Sequence, residues 1–226
     1  MNLEHHYKNL YNESIFKIAS DNYDIDHCID ADNDNRFGLT LLTRPSIEIK
    51  ERIQNFIQEI KKFEPNQYYY PNSYLHITVM SIISCYEGFD IEKIDLPKYV
   101  ELIKKCVTEI KDFRITFRGI TASPSGIMAQ GFVDNNELNK IRDRLRLAFN
   151  NSDLEQSLDK RYSIITAHST IIRFRTELSQ KVKFIDYLNK NINFDFGSFK
   201  VNKLELVYND WYHREAYVKK IYEFGM

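Results

Sequence analysis

Residues 74–79, Tyr-Leu-His-Ile-Thr-Val, and residues 166–171, Thr-Ala-His-Ser-Thr-Ile, are the basis of the fold that we predict for this chain. Each stretch combines a His-x-Thr triplet with apolar or β-branched neighbours, which favour a β-strand. Because successive side chains of a strand point to opposite faces, His76 and Thr78 share one face, as do His168 and Thr170. Each predicted strand therefore presents an imidazole beside a hydroxyl, directed away from the core.

The predicted elements around these strands fall into two similar series. The first series has a strand over 37–43, a helix opened by Pro45 and Ser46, the His76 strand over 75–80, a helix over 97–110 and a strand over 113–118. The second has a strand over 127–133, a helix over 135–149, the His168 strand over 163–174, a helix over 178–189 and a strand over 199–208. This repetition predicts an α+β fold of two pseudo-symmetric β-α-β-α-β lobes that face each other across a central cleft.

The first 36 residues differ in character from the rest of the chain. They are polar, with a weak helical pattern over 7–18 and an acid-rich run that ends at Asp32 and Asp34. We therefore expect residues 1–36 to form an N-terminal arm and residues 37–226 to form a single bilobal domain. A last strand, over 216–224, has no counterpart in the first series.

Composition limits the kinds of partner that we expect and indicates the cellular compartment. The 31 basic and 32 acidic residues give a formal net charge of −1, so no general field attracts long duplex nucleic acid, and a nucleotide ligand should be small. Cys28, Cys85 and Cys106 lack C-x-x-C spacing, which suggests reduced thiols in a cytoplasmic protein. No apolar run reaches the length of about 18 residues that indicates a membrane span. We expect a monomer with no membrane partner.

The two His-x-Thr pairs suit phosphodiester chemistry. Cleavage without a metal ion requires a base for the nucleophile, an acid for the leaving oxygen and donors for the phosphoryl oxygens. His76 and His168, on opposite sides of a cleft, can act as base and acid, and the hydroxyls of Thr78 and Thr170 can donate to the oxygens. An imidazole pKa near ~6.5 allows one ring to be neutral and the other protonated, which predicts a bell-shaped pH profile. The sequence does not say which histidine is the base.

Further side chains are candidates for substrate binding. Tyr74 lies on the strand face of His76 and can stack on a base, or else cover the lobe. Arg173 is suited to clamping a phosphate, although strict alternation along the strand points it away from His168. Tyr208 ends its predicted strand, where it can line the cleft rim or serve as a folded edge. Arg142 lies on a helix with other arginines and is most simply part of a solvated face.

The remaining histidines show no metal-ligand spacing. His5, His6, His27 and His213 form no H-E-x-x-H or similar pattern, and Cys28 beside His27 is too little for a zinc site. We therefore expect neither a catalytic metal nor a cofactor. Two alternatives to a metal-independent enzyme remain. One is a module that binds a nucleotide or RNA end in the same cleft without turnover, and the other is a metal-dependent hydrolase.

The two motifs resemble those of the 2H phosphoesterase superfamily, which includes RNA 2′,3′-cyclic phosphodiesterases and bacterial 2′-5′ RNA ligase-like proteins. The resemblance covers residues 37–208 and implies a bilobal α+β fold with the active site between the lobes. It further implies that His76 and His168 are the acid and base and that Thr78 and Thr170 bind the phosphate. Three shorter stretches are similar to a bacterial 2′-5′ RNA ligase-like subgroup: residues 35–38, 69–72 and 209–211.

This resemblance and the residues together predict one activity. We expect a metal-independent phosphodiesterase whose substrate is an RNA end, a cyclic phosphate or a small oligonucleotide. Ligation is the reverse of the same chemistry and stays open.

Overall fold

Two antiparallel sheets organise the computed structural model, which describes residues 2–160 and 163–226. In chain order its helices and strands are α1 (Leu3–Ala19), β1 (Arg36–Thr43), α2 (Ile47–Lys61), β2 (Tyr68–Tyr69), β3 (Ile77–Glu87), α3 (Leu96–Val107), β4 (Phe113–Ser123), β5 (Gly126–Val133), α4 (Glu137–Asn150), β6 (Ser169–Arg173), α5 (Lys181–Lys190), β7 (Asp195–Val201), β8 (Lys203–Asp210) and β9 (Lys219–Gly225). A short 3-10 helix, Ile91–Lys93, precedes α3. Within this described part, none of the helices has the length and hydrophobicity needed to cross a bilayer.

The two sheets confirm the predicted α+β class. The first has four strands in the order β3-β1-β8-β9, and the second has five in the order β2-β6-β5-β4-β7. The His76 motif adjoins β3 at the edge of the first sheet, and the His168 motif adjoins β6 in the second. Each sheet therefore carries one of the two motifs.

The two sheets do not correspond to the two halves of the sequence. β4, which we expected to complete the first lobe, pairs with β5 and β7 in the second sheet. The single strand predicted over 199–208 is instead β7 and β8, which separate at Asn202 and lie in different sheets. Extended segments on both sides of Asn202 have the same alternation, and alternation does not reveal which strand becomes the neighbour. The assignment of strands to lobes was wrong although the strands themselves are present.

Helix α2 shows how sequence periodicity builds the core. Five of its apolar side chains recur at helical spacing and are buried: Ile49, Ile53, Phe56, Ile57 and Ile60. The helix packs against β7 of the second sheet, where the Phe56 and Phe196 rings meet edge to face with centroids 5.4 Å apart. Burying one such side chain stabilises the fold by about 1.5–3 kcal/mol. The predicted apolar face is therefore the face that the structure buries.

Helix α1 packs on the second sheet rather than extending away from it. Its Tyr7 and Ile18 side chains are buried, and the Ser14 hydroxyl donates to the Ala122 carbonyl oxygen at 3.0 Å. In return the Thr121 hydroxyl donates to the Tyr7 carbonyl oxygen at 2.9 Å. The helix covers β4 and is longer than the predicted 7–18. Division of the chain into an arm and a domain at residue 36 stays a prediction.

Candidate active site

The two motifs converge on one cavity. His76 and His168 each lie one residue before their strand, since β3 begins at Ile77 and β6 at Ser169. A cavity of about 160 Å³ is lined by both histidines and by Thr78 and Thr170. The two imidazole-hydroxyl pairs, remote in sequence, thus face the same space.

A β-bulge in β6 directs Arg173 into this cavity. Thr170 and Ile172 pair with consecutive residues of β5, so Ile171 is an extra residue without its own partner position. An extra residue reverses the alternation beyond it. Arg173, which strict alternation points away from His168, therefore lines the same cavity as His168. The expectation that its side chain lies on the opposite face was wrong because it assumed a regular strand.

Strand β3 carries a bulge at the matching position. Thr78 and Met80 pair with consecutive residues of β1, which leaves Val79 as the extra residue. Ser81 is brought to the cavity side as a result. Each motif is thus followed by a residue that a bulge has rotated toward the site, a serine in one sheet and an arginine in the other.

Hydrogen bonds at Nδ1 orient both catalytic candidates. The Nδ1 atom of His76 lies 2.7 Å from the Tyr74 carbonyl oxygen, and because a carbonyl only accepts, Nδ1 carries the hydrogen. The neutral ring then has its lone pair on Nε2. The Nδ1 atom of His168 lies 2.6 Å from the Thr166 hydroxyl, which can donate or accept, so this contact orients the ring without choosing its tautomer.

Burial keeps both imidazoles neutral in the free protein. It lowers the pKa of His76 to about 4, and the positive charges of Arg44 and Arg173 act in the same direction. Burial likewise lowers the pKa of His168 to about 4, with Arg142 and Arg173 adding to the effect. We expected one neutral and one protonated ring near neutral pH. The structure differs because both rings lie in one partly enclosed, positively charged site.

A third imidazole, that of His213, lies against His76. The two ring centroids are 3.7 Å apart and the planes are inclined by 32°. His213 is 6% exposed, has a backbone φ of 55° and lines the same cavity. Burial lowers its pKa well below the usual histidine value, and its buried Nδ1 has no hydrogen-bond partner among the described residues. We considered His213 only as a metal ligand in the sequence, where nothing indicates its proximity to His76.

Arg173 is held in place by neighbours from distant parts of the chain. Its Nε donates to the Tyr70 hydroxyl at 2.9 Å, and its Nη1 lies 3.6 Å from Asp26 Oδ2. The guanidinium carbon lies 5.9 Å from the centre of the Trp211 ring. Arginine keeps its charge at any physiological pH, so the cavity wall carries a fixed, oriented cation.

Arg142 is buried and links the two motifs. The prediction that it lies on a solvated helix face was wrong. Its side chain is 1% exposed and donates to three carbonyl oxygens: from Nε to Val79 at 3.0 Å, and from Nη2 to Thr78 at 3.2 Å and Thr166 at 2.6 Å. One guanidinium therefore ties the backbone of the His76 strand to the backbone that precedes His168. Helical spacing already placed Arg142 on the buried face of α4, because it lies four residues after Leu138 and three before Leu145.

Tyr74 and Tyr208 are not among the described residues that line the cavity. Tyr74 packs against the hydrophobic core, which matches the covering role that we left open. Tyr208 stacks on Phe37, with centroids 4.9 Å apart and planes within 6° of parallel. Phe37 thus covers a face of the Tyr208 ring between the two central strands of the first sheet, while Asn209 and Trp211 beyond it do line the cavity.

The lining of the cavity suits an anion. The described lining side chains include imidazoles, hydroxyls and the Arg173 guanidinium, and no carboxylate. Hydroxyls and a guanidinium are the donors that phosphate oxygens accept from. Within residues 2–160 and 163–226, no three His, Cys, Asp or Glu side chains come together as metal ligands would.

Comparison with known proteins gives one family and a set of similar folds. The model of the family described as the 2′-5′ RNA ligase superfamily matches residues 49–211. TT0787 of Thermus thermophilus is 16% identical with a TM-score of 0.56, over 83% of this chain and 97% of that chain. The E. coli LigT structure complexed with 3′-AMP is 14% identical with a TM-score of 0.56, over 84% and 98%. The phosphate complex of LigT is 14% identical with a TM-score of 0.53, over 85% and 98%. No curated protein is similar enough to match.

Proposed function

Because this chain belongs to the 2′-5′ RNA ligase superfamily, we propose that it is a metal-independent 2H phosphodiesterase. Its substrate is an RNA end, a cyclic phosphate or a small oligonucleotide. The observation that carries the proposal is the single cavity lined by His76, Thr78, His168 and Thr170. LigT, a protein of similar fold, has been solved with 3′-AMP and with phosphate, which supports a small ligand that bears a phosphate.

His76 is the better placed of the two imidazoles to act as base in cleavage. Its Nδ1–H donates a hydrogen bond to the Tyr74 carbonyl oxygen. The lone pair on Nε2 is therefore available to take a proton from water or a ribose hydroxyl. The deprotonated oxygen bonds to phosphorus as the bond to the leaving oxygen breaks. His168 gives its proton to that leaving oxygen, and exchange of protons with solvent then restores both rings. Run backwards, the same steps join two ends.

The negative charge of the substrate favours protonation of His168. In the free protein, burial and nearby arginines hold the pKa of His168 at about 4. A phosphate between the rings places negative oxygens beside the imidazole, which favours its charged form and raises that pKa. Substrate binding therefore prepares the acid, which takes its proton from solvent.

Three donors stabilise the phosphoryl oxygens. The Thr78 and Thr170 hydroxyls lie beside the two imidazoles, and Arg173 contributes a fixed positive charge. Charge builds on the non-bridging oxygens in the transition state, and preoriented donors stabilise it without reorganisation. The Tyr70 hydroxyl, which accepts from Arg173, holds the guanidinium in one orientation.

A screen in chelator tests the proposal. Purified protein is incubated with EDTA and 2′,3′-cyclic nucleotides, 2′-5′ linked oligonucleotides or cyclic dinucleotides, and the products are separated chromatographically. We expect turnover of at least one class, reduced roughly 100- to 10,000-fold by His76→Ala and by His168→Ala in folded protein. Lys8→Ala, at an exposed position of α1, is the control variant.

Three results would overturn the proposal. Activity that needs an added divalent cation would indicate a metal-dependent hydrolase. Loss of less than a few-fold in either histidine variant would remove that imidazole from the chemical step. Nucleotide binding without turnover of any class would favour the alternative of a non-catalytic binding module.

A further inference from the structure

A second, larger cavity adjoins the phosphate cavity. It has a volume of about 500 Å³, within the range of roughly 300–1,000 Å³ that small-molecule sites usually have. His168, Thr170, Arg173 and Trp211 line both cavities. A molecule that fills the second cavity is therefore in contact with the same side chains that face the phosphate, and the two spaces form one elongated site.

Helix α1 supplies one wall of this second cavity. His6, Tyr7 and Leu10 all line it, and positions three and four residues apart lie on the same face of a helix. The Tyr7 hydroxyl donates to the Gly131 carbonyl oxygen at 3.2 Å and accepts from the Gly131 N–H at 3.3 Å, which anchors the helix to β5. The helix lies outside residues 49–211, where the family model matches. This wall thus comes from a helix outside the residues that the family model matches.

The chemistry of the lining favours an uncharged ring with polar edges. Apolar surface comes from Leu10, Met128, Ile165 and Trp211. Hydroxyls come from the β4–β5 turn and the segment before His168, at Ser123, Ser125, Ser163 and Thr166. The described lining contains no carboxylate and no lysine, and its one guanidinium, Arg173, lies where the two cavities meet. Apolar walls with a few hydroxyls suit a nucleobase and ribose better than a second phosphate.

We propose that α1 builds a nucleoside subsite, in which the second cavity holds the base and ribose bonded to the phosphorus on the His168 side. This inference rests on the proposed function, because the phosphate in the first cavity determines what is attached to it. Leu10 and Trp211 contact the base from opposite parts of the chain. His6 and Leu10 are accordingly specificity-determining residues, and the substrate class is one that carries a nucleoside on this side of the phosphate.

A binding experiment tests the subsite without requiring turnover. The probes are adenosine 3′-monophosphate and inorganic phosphate, with dissociation constants measured by calorimetry for wild type, Leu10→Trp and Lys8→Trp. Leu10 is half-buried and faces the cavity, so a bulky ring there fills the proposed base site, whereas Lys8 is exposed. The introduced ring excludes the base from its contacts with this wall, so we expect Leu10→Trp to weaken nucleotide binding about 10-fold. Phosphate binding should stay unchanged, and Lys8→Trp should alter neither.

The outcomes separate the subsite from the catalytic proposal. Unchanged nucleotide affinity in Leu10→Trp, a parallel loss of phosphate affinity, or a wild type that binds the nucleotide no better than phosphate would each overturn the subsite. If Leu10→Trp fails to fold, Leu10→Ala replaces it and should weaken nucleotide binding alone. A wild type that passes this test but turns over no substrate contradicts the proposed function and leaves the subsite standing.

Discussion

The imidazole rings of His76 and His213 lie face against face, with their centroids 3.7 Å apart. Two cations at this separation would repel each other, so protonation of one ring opposes protonation of the other. His213 also covers one face of His76 and excludes water from it. His76 is therefore kept neutral by the adjacent His213 ring as well as by its own burial.

Removal of His213 should raise the pKa of His76. His213→Ala opens one face of the His76 ring to water and reduces the desolvation that is the main cause of its low pKa of about 4. His213→Phe keeps an apolar ring there, so the pKa of His76 should stay low. NMR titration of the His76 ring protons measures both. A His213→Ala protein in which His76 titrates as in wild type would show that the stacked ring is irrelevant to its protonation.

Arg173 should dominate the affinity for a phosphate. A hydrogen bond to a charged group contributes about 1.5–3 kcal/mol, so Arg173→Ala should weaken binding of inorganic phosphate at least about 10-fold. Tyr70→Phe removes the hydroxyl that accepts from Arg173 and should produce a smaller loss. Arg175→Ala is the matched control, since Arg175 is exposed and pairs with Asp30. Equal affinities in the Arg173 and Arg175 variants would place the phosphate elsewhere.

Arg142 should be important for stability. In Arg142→Met the apolar stem is kept, but the carbonyl oxygens of Thr78, Val79 and Thr166 lose their donor. A buried acceptor left unsatisfied costs about 1–3 kcal/mol, so the free energy of unfolding should fall by roughly 3 kcal/mol. Urea denaturation measures the change, with the exposed Arg144→Met as control. A loss no larger than that of the control would mean that these carbonyls find other donors.

Acid should destabilise the protein through the two partly buried histidines of the candidate site. The pKa of His76 and of His168 is about 4 in the folded protein, below the value of about 6.5 expected in the unfolded chain. Between these two values the unfolded state binds more protons, so the free energy of unfolding falls as the pH drops from about 6.5 to about 4. The loss is smallest above a pH of about 6.5, where both states carry neutral rings.

Thermal unfolding across this pH window, with matched variants, measures the effect. His76→Gln and His168→Gln should each flatten the decline in melting temperature, because glutamine has no proton to gain. His5→Gln, at an exposed position of α1, should leave the decline as it is in wild type. A decline that is identical in all four proteins would assign it to other groups.

Local patterns in the chain were enough to predict most of the helices and strands and the chemistry that the motifs can offer. The spacing of apolar residues in α2 can be read from that helix alone, and each His-x-Thr triplet contains the imidazole and the hydroxyl that it contributes. The repetition of that triplet indicated two related strands, and the recurring order of strands and helices predicted an α+β fold. These features are readable because periodicity and short motifs depend only on residues close together in the chain.

Which residues share the site follows instead from long-range packing. The bulge at Ile171 turned Arg173 toward the cavity, and the separation of β7 from β8 at Asn202 placed adjacent strands in different sheets. His213 came to rest on His76, and Arg142 was buried between the two motifs. Each of these outcomes depends on the register and packing of segments far apart in sequence. Local alternation shows which side of a segment is apolar, but not which distant segment will cover it.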